Sequence, residues 1–358
     1  MKILFLSCFN KNRVGNMYGG AEKSITNLAN WMSKRDGCDV SLVSVESNIF
    51  PYDVDDDVVH YGYNIGCRSK ILTHFAFFVN TWRAIRKSKA DVVVSFWIHP
   101  LFYALFFKFL GFKIYYSERN DPRLKYGLIA RIMRWFVLQF SKGVVFQTQD
   151  AMHYFGKKIM QKSVVIHNPV YITESQYPLK NSDSRIVAVG RLTNQKNYFL
   201  LLRAFEIISE EYPRITLEIY GEGVLKTDLQ RFIKEHGLEK KVFLMGTRKN
   251  VIDLIYGAKL FVMSSLYEGM PNALMEAMAL GIPVLCSDCP CGGPRELIEN
   301  GKNGFLFENN NINDLLDKMR ILLDMRDSSA LVKEERLICK THSKEFIFSQ
   351  WEKFLQCW

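Results

Sequence analysis

Short β-branched runs recur along this chain at intervals that leave room for one helix each, and that rhythm restricts the fold more than any other feature. In the first half the runs are 2–7, 39–45, 91–96, 113–117 and 143–148, the strand–helix alternation of a doubly wound parallel sheet. Val92, Val93 and Val94 are apolar at successive positions, as expected of strands covered on both faces. Residues 166–184 break the pattern with His167-Asn168-Pro169 and a polar 180–183 stretch, which reads as a linker. The rhythm then restarts at 185–190, 214–221, 241–246, 260–265 and 283–287. The expected fold is therefore α/β with two Rossmann-like domains, 1–167 and 168–338. An aromatic, amphipathic tail, 339–358, is expected to pack back on the first domain. A length of 358 residues suits two domains better than one continuous core. Two such sheets would turn their carboxyl ends toward a shared cleft, where ligands of open α/β sheets bind.

Charge divides the halves. The chain has 47 Lys+Arg against 37 Asp+Glu, but residues 1–170 hold 23 and 12 of these, leaving the remainder with a net charge of −1. The excess belongs to the first half, which is expected to meet anionic ligands or an anionic surface. No recognisable nucleic-acid module accompanies it, so nucleic acid is not the expected partner. No window reaches the ~18 uninterrupted apolar residues of a membrane span. The first residues do not resemble a signal peptide, and a cytoplasmic protein is expected. Its eight cysteines are then expected to be thiols. Cys286, Cys289 and Cys291 cluster without a fourth ligand at zinc spacing, and read as small buried side chains at a strand end. Asp55-Asp56-Asp57 reads as a solvated acidic turn.

Candidate chemistry gathers at strand ends. Gly19-Gly20-Ala21-Glu22 opens a helix after the first strand, and paired glycines there let backbone N–H groups approach an anion. After 260–265 comes Ser264-Ser265-Leu266-Tyr267-Glu268-Gly269-Met270-Pro271-Asn272-Ala273-Leu274-Met275-Glu276. Pro271 suits a first helical turn, leaving the amides of Asn272, Ala273 and Leu274 free for a diphosphate, with Glu268 before it and Glu276 a turn inside. One acid can then bond sugar hydroxyls and the other ribose hydroxyls, a layout suited to a nucleotide sugar. Arg191 and Lys196, in the loop after 185–190, can offset the diphosphate charge. Gly221, Thr247 and Arg248 end two further strands and can frame a base. Gly221-x-Gly223 lacks the third glycine of a dinucleotide fingerprint, which argues against a nicotinamide or flavin oxidoreductase.

Together these segments resemble the retaining glycosyltransferases of family 4, with a GT-B fold. The resemblance rests on Glu268-x7-Glu276 with its Glu-Gly-Met-Pro-Asn core, and on Gly190-Arg191-Leu192 with Lys196. It extends through Asp288-Cys289-Pro290, Gly293-Pro294-Arg295-Glu296, Asn303-Gly304-Phe305-Leu306 and Gly19-Gly20-Ala21-Glu22, and so across nearly the whole chain. It implies that Arg191 and Lys196 bind the donor diphosphate, that Glu268 contacts the transferred sugar, and that Glu276 holds the ribose. It also implies transfer with retention and without a catalytic metal or other cofactor. A front-face reaction suits a site with no obvious nucleophile. Many relatives have a His in the segment that here reads Ser117-Glu118-Arg119-Asn120-Asp121-Pro122. Arg119 stands where it would be sought, so Glu118, Arg119 and His99 are all acceptor-side candidates.

Aromatics and cations interleave at 68–89, 101–116 and 123–142. In the last stretch Leu128, Ile129, Ile132, Met133, Phe136 and Phe140 follow helical spacing, and Lys125, Arg131 and Arg134 supply charge. Such a helix can lie against an anionic membrane or face a core with its basic side solvated. The resemblance implies a nucleotide-sugar donor, UDP-linked by expectation, and a lipid-linked undecaprenyl-diphosphate glycan acceptor at the inner face of the plasma membrane. Surface polysaccharide or O-antigen assembly is the expected pathway. A nucleotide-sugar epimerase and a non-catalytic nucleotide-sugar-binding partner are the alternatives.

Overall fold

The computed structural model describes residues 1–9, 20–65, 69–119, 121–123, 127–179 and 182–357. They form two compact units, the first comprising 1–167 with 347–358 and the second 168–346.

In the first unit β1 (Lys2–Ser7), β2 (Asp39–Ser44), β3 (Val59–Gly62), β4 (Val92–Ser95), β5 (Lys113–Ser117), β6 (Gly143–Phe146) and β7 (Ser163–Val165) form one parallel sheet in the order β3-β2-β1-β4-β5-β6-β7. Its helices are α1 (Gly20–Ser33), α2 (Lys70–Ser88), α3 (Ile98–Leu105), α4 (Leu128–Phe140), α5 (Gln149–His153) and α6 (Lys157–Met160). The central strands are buried along nearly their whole length, which is why Val92–Ser95 reads VVVS and not as an alternation. β3 and β7, which the strand rhythm did not mark, are short edge strands of four and three residues.

The second unit repeats the plan. Strands β8 (Arg185–Val189), β9 (Thr216–Tyr220), β10 (Val242–Gly246), β11 (Leu260–Met263), β12 (Val284–Asp288) and β13 (Phe305–Glu308) lie in the order β10-β9-β8-β11-β12-β13. Around them run α7 (Tyr198–Glu211), α8 (Lys226–Glu235), α9 (Val251–Ile255), α10 (Asn272–Leu280), α11 (Gly293–Leu297), α12 (Ile312–Asp324), α13 (Ser329–Glu335) and α14 (Ile338–Thr341). Two apolar clusters fill the two sides of this sheet, one around Phe205, Leu217 and Met319 and the other around Phe261, Leu274 and Met278. Chain order reverses between β8 and β11, which pair at Leu260↔Ile186 and Phe261↔Val187. Loops leaving these two carboxyl ends must therefore run side by side, and such a reversal opens a crevice for a ligand.

The last helix, α15 (Lys344–Cys357), changes unit at Ile347, and residues 339–346 belong to the second. Within the first unit Trp351 lies 5.7 Å from the Phe96 ring and Phe354 lies 5.4 Å from Tyr115. Phe348 meets Trp31 at 5.6 Å. Gly143 makes room for this helix, because a Cβ there would meet the Phe354 ring at 2.6 Å.

Candidate functional site

The loop after β8 turns at Gly190, passes Arg191 and closes in a 3₁₀ turn, Asn194–Lys196. The loop after β11 fastens to it. Leu266 N–H donates to the Gln195 carbonyl at 2.8 Å, and Gln195 Nε2 returns a bond to the Tyr267 carbonyl at 3.0 Å. Ser264 Oγ donates to the carbonyl of Lys196 at 2.9 Å. Lys196 Nζ is thereby held 2.6 Å from Glu268 Oε1, with side-chain exposures of 14% and 10%. A Cβ at 190 would stand 2.7 Å from Lys196 Cε, so any larger residue there displaces the Lys196 side chain. Gly221 in turn lets the end of β9 approach that loop, since its Cβ would lie 2.0 Å from the Gly190 carbonyl oxygen.

Glu268 is fixed from its other side as well. Its N–H donates to the Pro290 carbonyl at 2.7 Å, and its carbonyl accepts from Cys291 N–H at 3.1 Å. Burial followed by the Glu268 charge pushes the Cys289 thiol up to about 12. Burial raises Cys286 and Tyr198 as well. These neighbours are neutral at pH 7, so the wall around the ion pair adds no charge. All three clustered cysteines are buried. Among the described residues no group of three or more His, Cys, Asp or Glu side chains could hold a metal ion. Asp55 of the acidic turn pairs with Lys34 at 2.6 Å.

The chain then passes Gly269 and Met270 into α10. Pro271 sits one residue ahead of the helix as its N-cap, with φ −82° and ψ 102°, and not inside the first turn as its sequence position suggested. The consequence for the amides is unchanged. Asn272, Ala273 and Leu274 head the helix without intrahelical acceptors, and the macrodipole adds partial positive charge there. The Leu274 side chain is fully buried in the core, so only its backbone is available to a ligand. Glu276 lies half-buried on the second turn. Gly293 is obligatory at the neighbouring helix, where a Cβ would meet the Gly269 carbonyl at 1.6 Å.

One residue that organises this loop lies in the segment expected to be a linker. Asn168 Nδ2 donates to Asn272 Oδ1 at 2.7 Å and to the Met270 carbonyl at 3.3 Å, across more than a hundred positions. Its only sequence signal was its place before Pro169. Arg191 is exposed and forms no ion pair among the described residues. Thr247 and Arg248 are exposed just beyond β10. The second unit therefore joins Gly190, Lys196, Gly221, Glu268 and the head of α10 in one crevice. A cation, helix amides and a carboxylate together can hold an anion beside a polyhydroxylated group.

In the first unit Gly19 lies outside the described residues, as do Lys125 and Asn120, and Gly20 is the first residue of α1. Glu118, 2% exposed, follows β5 and has Arg134 Nη1 3.9 Å from its Oε2. The Arg119 guanidinium lies 3.9 Å from the Phe96 ring centroid. His99 stacks on Phe77 at 6.0 Å, and its pKa is lowered by burial first and by His74 second. One expectation is corrected here. Arg134 does not supply surface charge to α4, because it is buried and donates to the Pro122 carbonyl at 3.1 Å.

Residues 172–339 match the family model of glycosyl transferases group 1, and residues 18–174 match that of Glycosyltransferase Family 4. The chain belongs to the family 4 glycosyltransferases. An uncharacterized glycosyltransferase of Methanocaldococcus jannaschii is 34% identical over 200 residues, which span 50% of this chain and 49% of the relative. The chain thus covers about half the length of that relative. A second relative, from Campylobacter jejuni, is 24% identical across 94% of this chain and 95% of its own. Its name is GalNAc-alpha-(1->4)-GalNAc-alpha-(1->3)-diNAcBac-PP-undecaprenol alpha-1,4-N-acetyl-D-galactosaminyltransferase. Among solved structures, Anabaena HepE in complex with UDP superposes with a TM-score of 0.80 at 19% identity, over 100% of both chains. This family 4 member has the two-domain α/β GT-B fold, as its strand orders already indicated.

Proposed function

We propose that this family 4 glycosyltransferase is a retaining enzyme that moves a hexose or N-acetylhexosamine from a UDP-linked donor to a lipid-linked, undecaprenyl-diphosphate glycan. It would act in surface polysaccharide or O-antigen assembly, at the inner face of the plasma membrane. The observation that carries the reading is the Lys196–Glu268 pair at 2.6 Å, placed where chain order reverses. The long match to a transferase named for an undecaprenol-linked glycan supports the acceptor class, and the likeness to a UDP complex is compatible with the base.

In this reading Arg191, the free N–H donors of Lys196 and the amides of Asn272, Ala273 and Leu274 receive the diphosphate. Glu268 bonds hydroxyls of the sugar, Glu276 bonds the ribose, and Gly221, Thr247 and Arg248 border the base. Glu118, Arg119 and His99 belong to the acceptor side. The acceptor hydroxyl attacks the anomeric carbon while the bond from that carbon to the diphosphate oxygen breaks. The hydroxyl proton passes to a phosphate oxygen on the same face, and the cations and amides stabilise the departing UDP. No metal is assigned a part.

The test is a panel of UDP-sugars assayed for UDP release with and without extracted lipid-linked glycan, with the product's anomeric configuration read by NMR. Acceptor-dependent release with retention, undiminished by EDTA, is expected. Release that ignores the lipid, an inverted product or a strict divalent-ion requirement would each overturn the part it addresses.

A further inference from the structure

The first unit presents a broad apolar face built from three neighbouring helices. Of the 22 large hydrophobic side chains exposed among the described residues, 12 fall between residues 71 and 140. α4 buries Met133, Arg134, Val137 and Leu138 and turns Leu128, Ile129, Ile132, Trp135, Phe136 and Phe140 outward. Ordinary surface helices do the reverse. The patch is continuous, because α3 packs against both α2 and α4. Phe78 of α2 meets Phe106 at 5.9 Å, Phe106 meets Phe102 at 5.5 Å, and Phe102 meets Phe136 of α4 at 6.1 Å. Ile71 and Phe75 extend it along α2, and Phe109, 77% exposed, projects from the turn after α3. Such a surface on a soluble unit marks a docking site.

Its charge names the occupant. α2, α3, the 106–112 turn and α4 contain no Asp or Glu. Arg86, Lys108 and Arg131 are exposed there, whereas Lys87 Nζ lies over the Tyr61 ring of β3 at 3.9 Å. At the end of α4, Lys108 Nζ donates to the Phe140 carbonyl at 3.1 Å, and Lys162 Nζ donates to those of Gln139 and Ser141 at 2.8 and 2.9 Å. A second copy of this face would oppose cation to cation, whereas anionic headgroups complement it. No helix is long and apolar enough to cross a bilayer among the described residues, so contact lies in the plane of the surface, where Trp135 suits the headgroup boundary.

We infer that α2, α3 and α4 together form a docking face for an anionic phospholipid bilayer, with α4 and the 106–110 turn immersed to headgroup depth. This deepens the proposed function and rests on its lipid-linked acceptor for its purpose. The proposal needs all three helices, so it differs from a single basic amphipathic helix, and it excludes Arg134 from the contact.

The test is flotation of the full chain with vesicles of phosphatidylethanolamine and phosphatidylglycerol, against phosphatidylcholine alone, with neither donor nor acceptor present. The chain is expected to rise with the anionic vesicles only and to be partly released by high salt. Ile129→Ser with Trp135→Ser, and separately Lys108→Glu with Arg131→Glu, should each lower the bound fraction about tenfold or more, with unchanged thermal unfolding. An apolar variant on α2, Ile71→Ser with Phe75→Ser, should also lower it. Failure of the chain to float, or variants that float as the parent does, would overturn the docking face. So would a dimer in solution that the Trp135 variant dissolves. Flotation without glycosyl transfer would leave the face standing and reject the function, and transfer without flotation would do the opposite.

Discussion

Lys196 and Glu268 illustrate how far single residues can be read. Both were legible from sequence, since each follows a strand end, but their direct contact was not, because it depends on β8 and β11 being neighbours. Breaking a mostly buried pair leaves one charge uncompensated. Lys196→Met is therefore expected to cost about 3 kcal/mol of stability, while Lys196→Met with Glu268→Gln recovers much of that loss; denaturant melts of the double-mutant cycle measure it. Glu268→Gln alone should keep the fold and lower transfer about 100-fold or more. Near-normal turnover would remove Glu268 from its proposed role. The glycines make a second contrast. A Cβ at 190 meets the flexible stem of Lys196, whereas one at 293 meets the backbone carbonyl of Gly269. Gly190→Ala should thus impair donor binding in a folded protein, and Gly293→Ala should lower the melting temperature as well. Asn168 escaped the sequence reading because its partners lie so far along the chain.

At the scale of elements, central buried strands were legible and three edge strands were not. β4, β6 and β11 have only four residues each but are buried throughout, whereas β3, β7 and β13, of three or four residues, are not. The apolar stripe of α4 was legible, yet spacing alone does not say which face turns outward. Arg134 decides it, since Glu118 and the Pro122 carbonyl receive a guanidinium on the inner side. α13 carries a comparable surprise in Glu335, which is fully buried and accepts a bond from Val284 N–H at 3.1 Å. Burial raises its pKa well above 4.5, and the Val284 bond opposes this only in part. The folded carboxyl thus keeps its proton to higher pH than the unfolded chain, which ionises it from about pH 4.5 upward. Stability must fall as pH rises through that value, until the folded group itself ionises. Glu335→Gln keeps an acceptor for Val284 and removes this slope. Its melting temperature relative to the parent should improve by about 2–4 °C for each kcal/mol of lost slope between pH 5 and pH 8. Parallel pH profiles would show that Glu335 does not titrate in this way.

Across the whole molecule, the two sheets share a design but differ in self-sufficiency. The second unit is one unbroken stretch, 168–346, with apolar clusters on both sides of its sheet. The first is completed only by the last helix. Ile347, Phe348, Trp351, Phe354 and Leu355 are each at most 5% exposed, and at about 1.5–3 kcal/mol per buried side chain their burial rivals the 5–15 kcal/mol stability of a typical domain. Without them Phe96, Tyr115 and Trp31 would lose aromatic partners, and Arg35 would lose Glu352, 3.5 Å from its Nε. Residues 168–346 expressed alone are therefore expected to melt cooperatively by circular dichroism. Residues 1–167 alone should not, whereas the same segment joined by a flexible linker to 347–358 should regain a transition. In the full chain Trp351→Ala should cost about 3–5 kcal/mol, felt in the first unit and not in the second. Hydrogen exchange resolved by peptide separates the two responses, and equal loss of protection in both units would mean that they unfold as a single body.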